Sequence, residues 1–148
     1  MIKKRIIFTL LFSNNYFYLS RNFQLQKIGD FDWLMKNYNF DKISNSVDEI
    51  ILLDVSRKNK NKKNFLKILD EISKYCLIPI SAGGGISDLN YSSELIRKGA
   101  DKIILNSTIY EKPSIVKQIS KKIGKQAIIA SIDCKVIKNN HMVFINNI

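Results

Sequence analysis

The apolar residues of this chain come in short unbroken runs rather than in alternation. Ile6-Ile7-Phe8-Thr9-Leu10-Leu11-Phe12, Ile50-Ile51-Leu52-Leu53, Ile103-Ile104-Leu105 and Ala127-Ile128-Ile129-Ala130 are too short for apolar helices. A strand that is apolar at every position is covered on both faces, as in parallel sheets flanked by helices. Helical patterns separate the runs. Phe65, Ile68, Leu69 and Ile72 fall at i, i+3, i+4 and i+7 within residues 64–75, one face of a helix. Asp30 can cap a helix over 31–38. Asp88 can start a helix that Gly99 stops, and Pro113 one that Gly124 ends. Strands are expected over 5–12, 49–55, 77–81, 102–106 and 126–133. Strand and helix alternate four times before a fifth strand, which predicts a parallel α/β sheet, either doubly wound or part of a (β/α)8 barrel. Residues 13–29 are polar, aromatic and aperiodic, so a long loop is expected there, of a length typical of functional lids or disordered segments. Residues 134–146 suit a small hairpin turning at Asn139-Asn140.

With 148 residues the chain is expected to be one domain, large enough to bury roughly 68–70% of its unfolded surface. Its 45% hydrophobic content excludes a disordered chain. The net charge of +11 raises the question of a nucleic-acid partner. Only four of the 24 basic residues are Arg, however (Arg5, Arg21, Arg57 and Arg97). Phosphate-fork and base recognition favour Arg over Lys, so the charge reads as solvated faces and no nucleic acid is expected. The densest run, Arg57 to Lys63, sits where a strand hands over to a helix. Cys76 and Cys134 form neither a disulfide framework nor a metal spacing and are expected to be buried thiols. His141 reads as a surface or hairpin residue. Met1 to Phe12 imitates a signal peptide but lacks a small-residue cleavage site, and a first strand explains it better. No run is long enough to cross a membrane as a helix, so a cytoplasmic protein is expected.

In parallel α/β folds the chemistry sits at the carboxyl ends of the strands. Those ends carry Leu11-Phe12-Ser13, Asp54, Gly83-Gly84-Gly85, Asn106-Ser107-Thr108 and Asp133. Three glycines in a row are costly inside a helix or strand. At a strand-to-helix junction they suit a turn whose main chain closely approaches an anion. The amide and hydroxyls of 106–108 lie one strand away, and together these residues suit a phosphate. Asp54 and Asp133 each read equally well as a structural cap or as a general acid/base. Asp48-Glu49 and Asp101-Lys102 lie at the opposite, amino-terminal face, where charges serve stability or a partner.

Taken together, Lys4-Arg5-Ile6-Ile7, Val47 to Asp54, Ala82-Gly83-Gly84-Gly85-Ile86, Gly99-Ala100-Asp101-Lys102-Ile103 and Ala130-Ser131-Ile132-Asp133 resemble the cyclase subunit of imidazole glycerol phosphate synthase. The resemblance implies a (β/α)8 barrel lyase of histidine biosynthesis. Such a subunit takes ammonia from a glutaminase partner in a heterodimer. It converts a phosphoribulosyl-formimino aminoimidazole carboxamide nucleotide into imidazole glycerol phosphate and an aminoimidazole carboxamide nucleotide. It further implies a phosphate site at Gly84, Gly85, Asn106 and Ser107, a general acid/base at Asp133, and an ammonia gate at Arg5, Glu49 and Lys102. Neither metal nor cofactor is implied. The related barrel isomerase of the same pathway fits the Lys4 to Ile7 and Val47 to Asp54 blocks less well.

The chain departs from that pattern in two ways. The strand-1 catalytic Asp of the family is replaced by Leu11, and its loop-1 Lys by Leu19, with Arg21 close by. In strand 1 and over Leu19 to Gln26 the chain is similar to paralogues associated with amidation of surface-glycan sugars. A full barrel also takes about 250 residues, and the resemblance ends after strand 5. The expectation is therefore a single incomplete barrel domain over 1–148, with strands 1–5, helices 1–4 and an active-site loop at 13–29. It would be a cyclase-like subunit, a truncated paralogue or an inactive fragment.

Overall fold

A computed structural model describes residues 4–22 and 24–144. Seven strands form one sheet. Five of them are parallel: β1 (Ile7–Ser13), β4 (Glu49–Asp54), β5 (Ile80–Gly83), β6 (Lys102–Leu105) and β7 (Ile128–Ala130), paired in that order. The helices are α1 (Phe31–Asn37), α2 (Phe40–Ser44), α3 (Lys62–Tyr75), α4 (Leu89–Arg97), α5 (Thr108–Glu111) and α6 (Pro113–Ile123).

The expected start signals work as caps. Asp30 accepts from Trp33 N at 2.9 Å, and Asp88 accepts from Tyr91 N at 2.7 Å. Asn61 caps α3 through Asn64 N at 3.1 Å, so that helix begins two residues earlier than expected. Carboxylates before the strands act in the same way. Asp48 accepts from Ile6 N and Asp101 from Ile80 N, both at 2.8 Å, tying neighbouring strand starts together.

Leu10, Phe12, Ile50, Leu52, Ile80, Ala82, Ile103 and Leu105 project from one face of the sheet into the core. They are covered by Phe65, Ile68, Leu69 and Ile72 of α3, Tyr91 and Leu95 of α4, and Ile119 of α6. Helix α3 packs on α4 and α4 on α6, so successive crossovers lie side by side. The opposite face, with Thr9, Leu11, Leu53 and Val55, lines an open trough. Helices on a single face, with a concave inner surface, make this an incomplete (β/α)8 barrel rather than a doubly wound sheet.

One expectation is corrected. The first strand is not fully buried: Ile7, on its open inner face, is 44% exposed, and Ile6, which precedes β1, is 63% exposed. Residues 13–29 are also not one aperiodic loop. Strands β2 (Tyr16–Arg21) and β3 (Gln24–Gly29) form an antiparallel hairpin that pairs with the end of β1. Asn14 and Asn15 both take positive φ, 45° and 71°, the conformation of a tight hairpin turn that asparagine tolerates. The third parallel strand starts at Ile80 and not at Leu77, which is 85% exposed. Pro79, which lacks an N–H, gives only its carbonyl to Ile50 N.

The fifth parallel strand, β7, is shorter than expected because 125–127 form a 3-10 turn. The hairpin that follows, β8 (Asp133–Ile137) and β9 (Asn140–Phe144), turns at Lys138-Asn139, one residue earlier than expected. Its expected end at 145–146 lies outside the described residues, as do Met1 to Lys3. Cys76 is half-buried, but Cys134 is exposed because β8 lies on the open side. His141 is an exposed residue of β9.

This packing predicts a sharp contrast between two apolar substitutions. Phe65→Ala empties a fully buried position and should cost about 3–5 kcal/mol. Leu77→Ala should stay within about 0.5 kcal/mol. Urea unfolding of the two variants measures both values.

Candidate active site at the carboxyl ends of the strands

The sheet register brings Leu11, Leu53, Gly83, Ile104 and Ile129 into one row across the five parallel strands. The residues that follow this row therefore emerge at one level. Gly84, Gly85, Asn106, Ser107 and Thr108 gather there around a cavity of about 80 Å³, with Ile86 and Ser131. That volume is far below the 300 Å³ or more of a drug-sized ligand site and suits one compact polar group. The four residues expected to hold phosphate are thus neighbours in space.

Gly84 is required at its position. Its φ is +114°, and a Cβ there would collide with the main-chain oxygen of Asp54. Thr108 plays a structural part, with its buried hydroxyl donating to the carbonyl of Ile86. This bond pins the turn after the glycines to the start of α5. Ser131 was not anticipated as a lining residue. Its N–H donates to Leu105 O at 2.8 Å, which carries it from the end of β7 to the rim of the cavity.

Asp133 stands next to this cavity. Asn106 Nδ2 donates to its carboxylate at 3.1 Å, linking the expected phosphate residues to the expected acid/base. Asp133 is exposed and lines a second, larger space, a trough of about 1160 Å³ along the inner face of the sheet. Leu11 lies in the same trough with Leu19, Leu25, Leu53 and Val55, which give it an apolar lining, and Phe144 is the cross-strand neighbour of Asp133. Asp133 is the trough's one acidic lining residue among those described, and Arg57, Lys60 and Lys135 are its cations.

Asp54, left open between cap and acid/base, is buried and occupied. Its carboxylate accepts from Ser56 N at 2.9 Å, and the Ser56 hydroxyl bonds the Ser13 hydroxyl at 3.0 Å. Asp54 thus shapes the loop after β4 and faces away from the trough chemistry. Among the described residues no cluster of His, Cys, Asp and Glu could hold a metal ion, and no helix is long and apolar enough to cross a membrane.

Arg5, Glu49 and Lys102 meet at the opposite end of the strands. Glu49 is buried, with its side chain 4% exposed. Its carboxylate pairs with Lys102 Nζ at 3.1 Å and Arg5 at 3.6 Å, and it accepts from the Ser81 hydroxyl. Burial opposes its ionisation. The Ser81 hydroxyl and the Lys102 and Arg5 charges overcome that and hold the carboxyl below the usual carboxylate range.

The histidine biosynthesis protein family matches residues 26–148. The chain belongs to this family. Among its relatives is a protein provisionally named imidazole glycerol phosphate synthase subunit hisF2, from Parasynechococcus marenigrum (strain WH8102). It is 44% identical over 147 residues, which is 99% of this chain and 55% of the relative. Subunit HisF of Thermotoga sp. (strain RQ2) is 34% identical over 145 residues, 97% of this chain and 56% of its own. HisF of Staphylococcus carnosus (strain TM300) is 38% identical over 136 residues, 91% and 52%. The expected resemblance to the imidazole glycerol phosphate synthase subunit is thus borne out. The chain spans about half the length of the curated relatives it matches.

The Glu49 cluster makes a signed prediction. Its carboxyl ionises more readily in the fold than its ordinary 4.5. The stability it contributes is therefore complete above that value and lost as pH falls through the lower folded value. Glu49→Gln should lower the urea midpoint at neutral pH, and the gap to the wild type should narrow below about pH 4.5. A gap independent of pH would show that the cluster does not favour the charged form.

Proposed function

We propose that this chain supplies the phosphate-gripping part of a cyclase-type imidazole glycerol phosphate synthase site in histidine biosynthesis, fed with ammonia by a glutaminase subunit. The observation that carries this reading is the convergence of Gly84, Gly85, Asn106, Ser107 and Ser131 on one small cavity beside Asp133. The glycine main chain can approach a phosphate closely. The Asn106 amide and the hydroxyls of Ser107 and Ser131 can donate to its oxygens.

Substrate gripped there would extend along the trough past Asp133. Asp133 would take or return a proton as ammonia adds to the substrate and the imidazole ring closes. Ammonia would enter at the far end, past Arg5, Glu49 and Lys102, where the partner subunit would dock. The site would lie in the cytoplasm and use no cofactor.

Leu11 favours a second reading. It lies in the trough where the family's catalytic Asp stands, and a leucine can neither accept nor donate a proton. A paralogue acting in amidation of surface-glycan sugars would keep the phosphate grip and the ammonia supply with a different acceptor.

Both readings require phosphate binding, which thermal unfolding can measure. Ribose 5-phosphate at tenfold its Kd should stabilise the chain by about 1.4 kcal/mol, raising Tm by about 3–5 °C. Gly84→Val should abolish the shift. Ser107→Ala, which leaves the turn intact, should reduce it without lowering the unliganded Tm by more than a degree or two. The absence of any shift in the wild type would overturn the phosphate reading. Adding the substrate nucleotide and ammonium salts, with and without the remaining strands supplied as a second polypeptide, would then separate the two acceptors.

A further inference from the structure

We propose that Lys60, with Arg57 beside it, is the charge-bearing arm of the anion site. Its ammonium would reach the phosphate held by the glycine turn and make the site prefer a doubly charged phosphate monoester to a singly charged anion. This rests on the phosphate reading above and adds to it a residue and a substrate charge state.

The Asp54 carboxylate holds Ser56 N, and the Ser56 hydroxyl bonds that of Ser13 at the end of β1, which fixes the course of the chain leaving β4. Lys60, four residues further on, lies at the glycine turn. Lys60 Nζ donates to the main-chain oxygen of Asp54 at 3.3 Å, the same oxygen that leaves no room for a side chain on Gly84. The lysine stem then runs across Gly85. A Cβ at Gly85, where φ is +66°, would stand 2.9 Å from Lys60 Cδ and 3.1 Å from Nζ. Gly85 therefore makes room for the lysine, as Gly84 does for the main chain. Gly85 lines the small cavity and Lys60 lines the trough, so the ammonium stands where the two spaces meet.

The charge is free to act on a ligand. Among the described residues neither Lys60 nor Arg57 is in an ion pair with a carboxylate. Lys62, two residues on, is committed: it pairs with Asp88 at 3.0 Å and lies over the Tyr91 ring. Across the trough, Lys135 lies over the Phe144 ring and Asp133 accepts from Asn106.

A cradle of main-chain N–H groups, one amide and two hydroxyls is neutral and discriminates weakly between one and two negative charges on an anion. A lysine ammonium at its rim adds a point charge, the usual way lysine serves phosphate. Arg57, further along the same trough wall, would keep the field positive as the anion enters.

Calorimetric titration of the full chain tests this. The probes are ribose 5-phosphate, which is doubly charged near pH 8, and its singly charged methyl diester, each at low and moderate salt. The wild type should bind the monoester at least about tenfold more tightly than the diester, and should weaken as salt rises. Lys60→Met should lose most of that preference and of the salt dependence, Lys60→Arg should retain both, and Lys63→Met should match the wild type. A Lys60→Met variant that keeps the wild-type preference and salt dependence would overturn the inference and leave the phosphate reading standing. A wild type that binds neither probe would overturn both. A wild type that binds the two probes equally would overturn the inference alone.

Discussion

Between the ends of β4 and β5 there is room for main chain only. The carbonyl oxygen of Asp54 fills the space that a side chain on Gly84 would need. The same residue holds Ser56 through its carboxylate, and Ser56 reaches across to Ser13 at the end of β1. One aspartate thus ties together the tips of three strands. The loop after β4 and the turn after β5 are packed into a single space, so the proposed anion site depends on a contact that any side chain at 84 would break. The cost of such a substitution would be local, because the helices and the core they cover lie behind the sheet and do not pass through this junction.

The parallel register gives that junction its neighbours. One row of paired residues crosses all five strands from Leu11 to Ile129, so residues one or two positions further on meet at one end. Glu49, Ser81 and Lys102 meet at the other end by the same geometry. Both clusters are built from residues far apart in the chain. The hairpin of β2 and β3 adds a wall to the trough without interrupting the register, since it pairs only with the last residues of β1.

Helix α3 was legible from periodicity because Phe65, Ile68, Leu69 and Ile72 bury one face of it against a sheet that the chain itself supplies, whereas the short α2 and α5 were not expected. The strands were legible in order and direction for the same reason, but less so in extent. Apolar runs imply two covered faces, whereas here the inner face of β1 is open, and Ile7 on that face is 44% exposed. The β2–β3 hairpin was missed because its strands mix polar and aromatic residues without strict alternation, and Leu19 and Leu25 face the trough instead of a core. The turn that leads from β1 into it did leave a signal in Asn14-Asn15, a pair suited to positive φ. At the strand ends, the glycines and Asn106-Ser107 were legible because residue type and position agreed. Asp54 was ambiguous because a carboxylate at a strand end can bond its own chain two residues on, and only geometry showed that it does. The run from Arg57 to Lys63 read as one solvated stretch, since nothing in composition separates Lys60 over Gly85 from Lys62 on Asp88.

The two ends of the strands also differ in how their charges are balanced. At the amino-terminal end Glu49 is surrounded by Lys102, Arg5 and the Ser81 hydroxyl, so the cluster is internally satisfied and its carboxylate stays ionised despite burial. It needs no ligand to be stable. At the carboxyl end the trough has three cations against Asp133, whose carboxylate is already bonded to Asn106. Fixed positive charge that the fold does not neutralise is an unfavourable arrangement for an empty protein and a favourable one for an anionic ligand. With a net charge of +11 the chain as a whole attracts anions. At the glycine turn that general attraction coincides with a small cavity lined by hydrogen-bonding groups. Surface charge and cavity geometry together favour the proposed binding of an anion at that turn over the lysine-rich surface at large.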